Sequence, residues 1–304
     1  MTWTGYLQQC ALPRRNRMPL PLFSSRASLM LVPALAALLA ACSPPAAEPP
    51  APDLFIRVSA GTVDMIPVGE FLQNGMPTVP ERQQLQIAQD IEIMRRQVSQ
   101  AEYARCVQAQ ACRKLDKQEQ QIEPRPDLPV VGVSWEDATA YADWLSRETG
   151  QHYRLPSYEE WAWIAGNHYR EDTPLSPFDP QNPARRWLEE YQQEISRSRT
   201  TDDKAPQPFG HFGANEHGIQ DLGGNVWDWT NSCYTRYAVM ADQSVMRLGE
   251  NCGIRVLGGE HRSYMTDFIR DPVSGACSVG LPPANLGFRL VRDAVSPGLP
   301  RRNG

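Results

Sequence analysis

Polar positions punctuate this chain in short blocks, and three of the blocks open the same way. Ser99, Ser134 and Ser157 each stand three residues ahead of an acid, namely Glu102, Asp137 and Glu160. In that arrangement the hydroxyl and the carboxylate satisfy two backbone donors at a helix start. Behind the first, Tyr103 and Val107 are four apart. Behind the second, Ala138, Tyr141, Ala142 and Leu145 line one face, and Gly150 is a stop signal. Behind the third, Trp161 and Ile164 face inward and Gly166 ends the helix. A fourth helix is predicted over 182–196, with Asn182 as cap, Pro183 in the first turn, and Trp187, Tyr191 and Ile195 recurring every four residues. Short apolar runs predict strands over 55–58, 91–95, 255–257 and 288–291. The remainder reads as turn and loop.

The apolar run at 29–41, LMLVPALAALLAA, follows arginines and contains no acid. A bilayer takes about 20 apolar residues to span, so this run is a signal-peptide core and not a membrane helix. It ends Leu39-Ala40-Ala41-Cys42, which resembles a bacterial lipobox. That resemblance implies cleavage before Cys42 and lipidation of its thiol; an ordinary secretory signal is the alternative, and Met1 or Met18 can serve as the start. Ser43 follows Cys42 where an Asp would favour inner-membrane retention, so the expected location is the periplasm, anchored to the inner leaflet of the outer membrane. Residues 43–52, SPPAAEPPAP, read as an extended Pro-rich tether. The expected organisation is a signal peptide over 1–41, lipidated Cys and tether over 42–52, one α+β domain over 53–293 and a disordered tail over 294–304.

Composition sharpens this picture in two ways. The 304 residues include 27 Pro and 21 Gly, which argue for a loop-rich fold with short elements. The net charge is −5, and every basic residue ahead of Cys42 is expected to leave with the signal. A nucleic-acid partner is excluded on that balance. Of seven cysteines, Cys10 leaves with the signal and Cys42 takes lipid. Cys106, Cys112, Cys233, Cys252 and Cys277 remain, and in an exported protein they read as disulfides. Cys106–Cys112 and Cys233–Cys252 are the preferred pairs. Pairing of Cys277 with Cys233 or Cys252 is the alternative. No CxxC occurs, so a thioredoxin-type site or a zinc ribbon has no support.

Five blocks then stand in order: LPVVGVSWEDA at 128–138, YRLPSYEEW at 153–161, FGANEHGIQDLGGNVWDW at 212–229, RVLGG at 255–259 and NLGFR at 285–289. Together they resemble the formylglycine-generating-enzyme, or sulfatase-modifying-factor, family. The resemblance covers about 53–293 and implies a C-type-lectin-like α+β fold, loop-rich, with little regular secondary structure. Trp135, Trp161, Trp227 and Trp229 suit it as pins between loops, being large apolar bodies with one donor each.

The same resemblance sets expectations for chemistry. Family enzymes hold copper(I) on two cysteines five apart, a few residues past the Gly-Gly. Here the stretch 260–268, EHRSYMTDF, holds no Cys. That implies a catalytically dead member, not an enzyme, with neither copper nor iron; His152, His168, His211, His217 and His261 also show no metal spacing. Calcium is a candidate at the family's G-N-V-W-E-W turn, matched by Gly223, Gly224, Asn225, Val226 and Asp228, with Asp228 as the carboxylate. Glu260, His261, Arg262, Tyr264 and Phe268 form a mixed aromatic and charged surface suited to a protein partner. The stretch 167–203 is a second candidate surface. The expected function is a non-catalytic binding and signalling module. It would act with a periplasmic or outer-membrane protein, for instance the periplasmic part of a Ser/Thr kinase controlling type VI secretion, as inactive relatives do. The alternative is a periplasmic oxidative maturation enzyme of the same superfamily.

Overall fold

The computed structural model describes residues 51–116, 123–170, 182, 184–185, 188–189, 191–192, 205–272 and 285–293. The signal peptide, Cys42, the tether up to residue 50, Trp187, Cys277 and the tail lie outside the described residues, as does most of the fourth predicted helix.

All three predicted helix starts form, each with the reciprocal Ser–acid capping box: α1 over Gln100–Gln108, α2 over Trp135–Thr149 and α3 over Tyr158–Ala165. Gly150 ends α2 in the left-handed conformation, with φ of 70°, where a Cβ would be strained. The strands are β1 Phe55–Val58, β2 Gly61–Met65, β3 Glu70–Gln73, β4 Met76–Thr78, β5 Gln83–Ile87, β6 Ile91–Met94, β7 Tyr153–Arg154, β8 Trp227–Val239, β9 Val245–Gly258, β10 Ser263–Thr266, β11 Leu286–Gly287 and β12 Val291–Arg292. One sheet runs β1-β6-β12-β7. A second runs β10-β9-β8-β3-β4, with β11 parallel to the start of β8, and β2 pairs with β5.

These sheets correct the expectation of a loop-rich fold with little regular structure. The fold is α+β with defined sheets and three complete helices among the described residues, and 184–185, 188–189 and 191–192 are helical too, within the fourth predicted helix. Composition misled for a physical reason: nine of the 27 prolines precede residue 53 and say nothing about the sheets. The long hairpin β8–β9 was also invisible as periodicity. Residues 245–252 of β9 are all exposed, so only its buried end around Arg255 to Leu257 stands out in sequence.

Two apolar cores hold the elements. In one, Tyr141, Trp144 and Leu145 of α2 pack with Tyr153, Trp229, Phe288 and Leu290. In the other, Trp161 and Ile164 of α3 pack with Val58, Met65, Ile93, Leu222 and Val256. The Gly-Gly of RVLGG sits where these meet. A Cβ at Gly258 would strike the Trp161 ring, and one at Gly259 the Trp227 ring, so the two indoles can close on bare backbone.

Candidate functional site

The β8–β9 hairpin positions a cluster that sequence spacing does not announce. Cys233 of β8 lies opposite Arg255 of β9, with register shifts on both sides of Cys233. These bulges re-aim the strand locally. Cys233 and Cys252 are joined as a disulfide, with Cα atoms 4.5 Å apart. The Glu250 carboxylate joins them, and the donor atoms of Cys233, Glu250 and Cys252 all lie within 4.8 Å of one another.

Arg255 completes the cluster. Its Nη1 donates to Cys233 Sγ at 3.1 Å and to the Asn231 carbonyl at 3.0 Å. Its guanidinium lies 3.7 Å over the ring of Trp135, the first residue of α2. A flat, weakly hydrated guanidinium stacks well on an indole. The side chain is buried, its Nε has no hydrogen-bond partner, and no carboxylate pairs with it among the described residues. Burial pulls Arg255 below its ordinary value, opposed by the charges of Asp267 and Glu250. The result is a buried cation in direct contact with a cysteine sulfur.

The chemistry open to this set depends on oxidation state. As a disulfide the sulfurs offer no thiolate. Two-electron reduction releases two thiols next to a cation, and a neighbouring guanidinium favours thiolate. Two thiolates with a carboxylate make a donor set suited to soft or borderline metals, copper(I) among them. This corrects three linked expectations: that the chain lacks a cysteine pair and is no enzyme, that it is a pseudoenzyme, and that copper is excluded. Cys233 and Cys252, nineteen apart, are paired as expected from sequence, but the expectation treats them as a structural disulfide and places the reactive pair only past Gly259. Glu250, Arg255 and Trp135 were missed as site residues. The spacing Glu250-x-Cys252-x-x-Arg255 was the local signal that could have found two of them.

The other predicted residues fall elsewhere. Cys106 and Cys112 form a disulfide at the end of α1. Glu260 and Phe268 are exposed, while His261, Arg262 and Tyr264 are half-buried and tied into the fold. Arg262 Nη1 donates to the carbonyls of Ile66 and Pro67, both at 3.1 Å. The Tyr264 hydroxyl accepts from the Gly69 N–H at 3.3 Å, and its ring meets Tyr234 edge-on at 5.5 Å. Tyr234 donates to Glu70, and burial followed by that hydrogen bond pushes its phenol up to about 12, so it stays protonated at neutral pH.

At the proposed calcium turn, the Asp228 Oδ2 accepts from Trp161 Nε1 at 3.0 Å and from Arg289 Nε at 2.6 Å. The Asn225 side chain exchanges two hydrogen bonds with the backbone of Gln207. Asp228 therefore serves as the counter-ion of Arg289, and Asn225 as a clamp on the 205–207 segment.

Comparison with known proteins adds the lineage. Residues 43–294 match the model of the sulfatase-modifying factor enzyme 1-like domain. The formylglycine-generating enzyme of Streptomyces coelicolor is 31% identical over 186 residues, covering 57% of this chain and 55% of that protein. The inactive C-alpha-formylglycine-generating enzyme 2 of Mus musculus is 30% identical over 184 residues, covering 58% and 53%. The serine/threonine-protein kinase pkn1 of Chlamydia caviae is 27% identical over 167 residues, covering 54% and 24%. The chain spans about half the length of the first two. Among solved structures, PvdO from Pseudomonas aeruginosa superposes with a TM-score of 0.51 at 20% identity, over 79% of this chain and 94% of that one, a likeness of fold. Active and inactive relatives match about equally well, so similarity alone assigns no activity, but it does place the chain: it belongs to the sulfatase-modifying factor enzyme 1-like family.

Proposed function

We propose that this chain is an oxidative maturation enzyme of the formylglycine-generating-enzyme superfamily, working outside the cytoplasm, with Cys233, Cys252 and Glu250 as its reactive centre. The observation that carries the reading is the convergence of two sulfurs and one carboxylate within 4.8 Å, with Arg255 at 3.1 Å from Cys233 Sγ. An extracytoplasmic location is supported by the signal-like segment at 29–41 and by two disulfides, which persist in oxidising compartments. Reduced, Cys233 and Cys252 would hold copper(I) as thiolates with Glu250 beside them. A bound copper ion would supply one-electron redox chemistry. Arg255 would hold Cys233 in its ionised form, and Trp135 would keep that guanidinium in place.

The test is a copper(I) titration of the reduced protein against a chromophoric competitor. One ion per chain is expected in the wild type, with loss of that binding in Cys233→Ser and Cys252→Ser. Binding unchanged in both variants, or no binding in the wild type, overturns the reading. For the anchor, Cys42→Ser is expected to move the protein from the membrane fraction to the soluble periplasm, since stable anchoring takes two or more acyl chains.

A kinase partner is a separate proposal, favoured by the pkn1 relative. Cross-linking in intact cells, followed by recovery of the lipidated protein, is expected to capture a kinase ectodomain. Capture without one ends that proposal and leaves the enzyme reading in place.

A further inference from the structure

Arg255 has a second set of neighbours besides the sulfurs. Its Nη1 is committed to Asn231 and Cys233, whereas its Nε is buried and donates to nothing among the described residues. Trp135, on which the guanidinium stacks, carries a buried indole Nε1 that donates to nothing either. Thr139 stands four residues on, one turn along the same face of α2, and its buried Oγ1 is also without a partner. Three neighbouring donors are thus unmet, and one of them belongs to a cation with only 9% of its surface exposed. Buried polar groups in folded proteins are satisfied almost without exception.

The charge is as unbalanced as the hydrogen bonds. Arg289, the other buried arginine of the described core, has Asp228 as its counter-ion. Arg270 likewise has Asp137. Glu250 and Asp267 act on Arg255 through space, but neither forms an ion pair with it, and Glu250 is paired with Arg247. A cation left buried and unpaired is strongly destabilising.

We infer that Arg255, Trp135 and Thr139 form a binding site for a compact monoanion of halide size. The guanidinium and indole N–H groups can only donate, so the site takes an acceptor and not a metal cation. One positive charge calls for one negative charge, which disfavours a phosphate or a sulfate. Water would meet the hydrogen bonds but would leave the charge unbalanced. A spherical anion accepts from several donors at once, so a guanidinium N–H, an indole N–H and a hydroxyl can share it. Bound there, it ties Arg255 of β9 to the first two turns of α2 and fixes the base of the hairpin on the helix. The donors involved are not those that face the sulfurs, so the inference applies to the oxidised protein and is independent of copper.

The test uses the full chain, oxidised, at constant ionic strength, with sodium bromide replacing sodium gluconate. The melting temperature should rise by about 2–4 °C and then saturate, because an ion bound only by the native state stabilises it by mass action. Arg255→Gln should lose this response. Trp135→Phe and Thr139→Val each remove one donor and keep most of the bulk. Each should raise the half-saturating bromide concentration about tenfold, as loss of a hydrogen bond to a charged group does. A rise that never saturates, or that persists in Arg255→Gln, is a general salt effect and overturns the inference. Unchanged half-saturation in both other variants overturns the three-donor site. Wild-type crystals soaked in bromide give a second measurement, with an anomalous peak expected in contact with Arg255 Nε and Trp135 Nε1. A water there, or no peak, overturns the site whatever the variants show, including any that fail to fold. Copper(I) uptake by the reduced protein is read separately, and its failure would sink the metal reading while leaving this inference standing.

Discussion

Arg289 Nε donates to Asp228 Oδ2 at 2.6 Å, and both side chains are sealed from solvent. One end of the pair is a strand residue of β8 and the other follows β11, so the contact locks the NLGFR block onto the GGNVWDW block. Trp161 Nε1 adds a second donor from α3. Removing one partner leaves an uncompensated buried charge, which costs about 3–5 kcal/mol. Asp228→Ala and Arg289→Met are each expected to lose that much in urea unfolding, and the double variant less than their sum. Additive losses would show that the pair is not coupled.

Gly258 is expected to tolerate no side chain, because a Cβ there would meet the Trp161 ring. Overpacking of this kind costs about 1–3 kcal/mol. Gly258→Ala should lower the unfolding midpoint by that amount, and pairing it with Trp161→Phe should recover part of the loss. No recovery in the double variant would place the strain elsewhere.

Acid should loosen the first helix before the rest. Burial raises the Glu102 carboxyl, but the Arg96 ion pair and the Ser99 hydrogen bonds outweigh it and hold Glu102 below its ordinary value. A carboxylate depressed in the folded state contributes stability that is present above its unfolded value and is lost as pH falls through the folded one. Amide exchange in α1 should therefore rise below about pH 4, the usual carboxylate range. Glu102→Gln should flatten this dependence, and an unaltered profile in that variant would assign the loss to another group.

The cap of α2 offers a smaller and cleaner check. Ser134 Oγ accepts from the Asp137 N–H at 3.2 Å, and Asp137 in turn takes two donors from Arg270. Ser134→Ala should cost about 1 kcal/mol, as loss of an N-cap does. Asp137→Ala should cost several-fold more, since it also strands Arg270. Equal losses would mean that the Arg270 pair contributes little.

Helix starts were legible in this sequence because a capping box is a contact over three residues, and the chain carries it whatever the rest of the fold does. Ser99, Ser134 and Ser157 therefore predicted α1, α2 and α3 directly. The five ordered blocks likewise identified the family, since each encodes a local turn or a close approach such as Gly258 against Trp161. Strand β9 was legible only at its buried end near Arg255, and β8 was not legible as a strand at all. Where β9 is exposed on both faces, nothing alternates, and pattern carries no information about pairing.

What the sequence determined by itself was thus the set of local devices: three caps, a glycine stop at Gly150, a signal-like run, and cysteines suited to an oxidising compartment. Tertiary structure alone decided which of those cysteines share a site with charge. Hairpin register sets Cys233 against Arg255, and the packing of α2 slides Trp135 beneath that guanidinium. Neither relationship has a sequence spacing, because each depends on how far one element slides along another before its apolar face is buried.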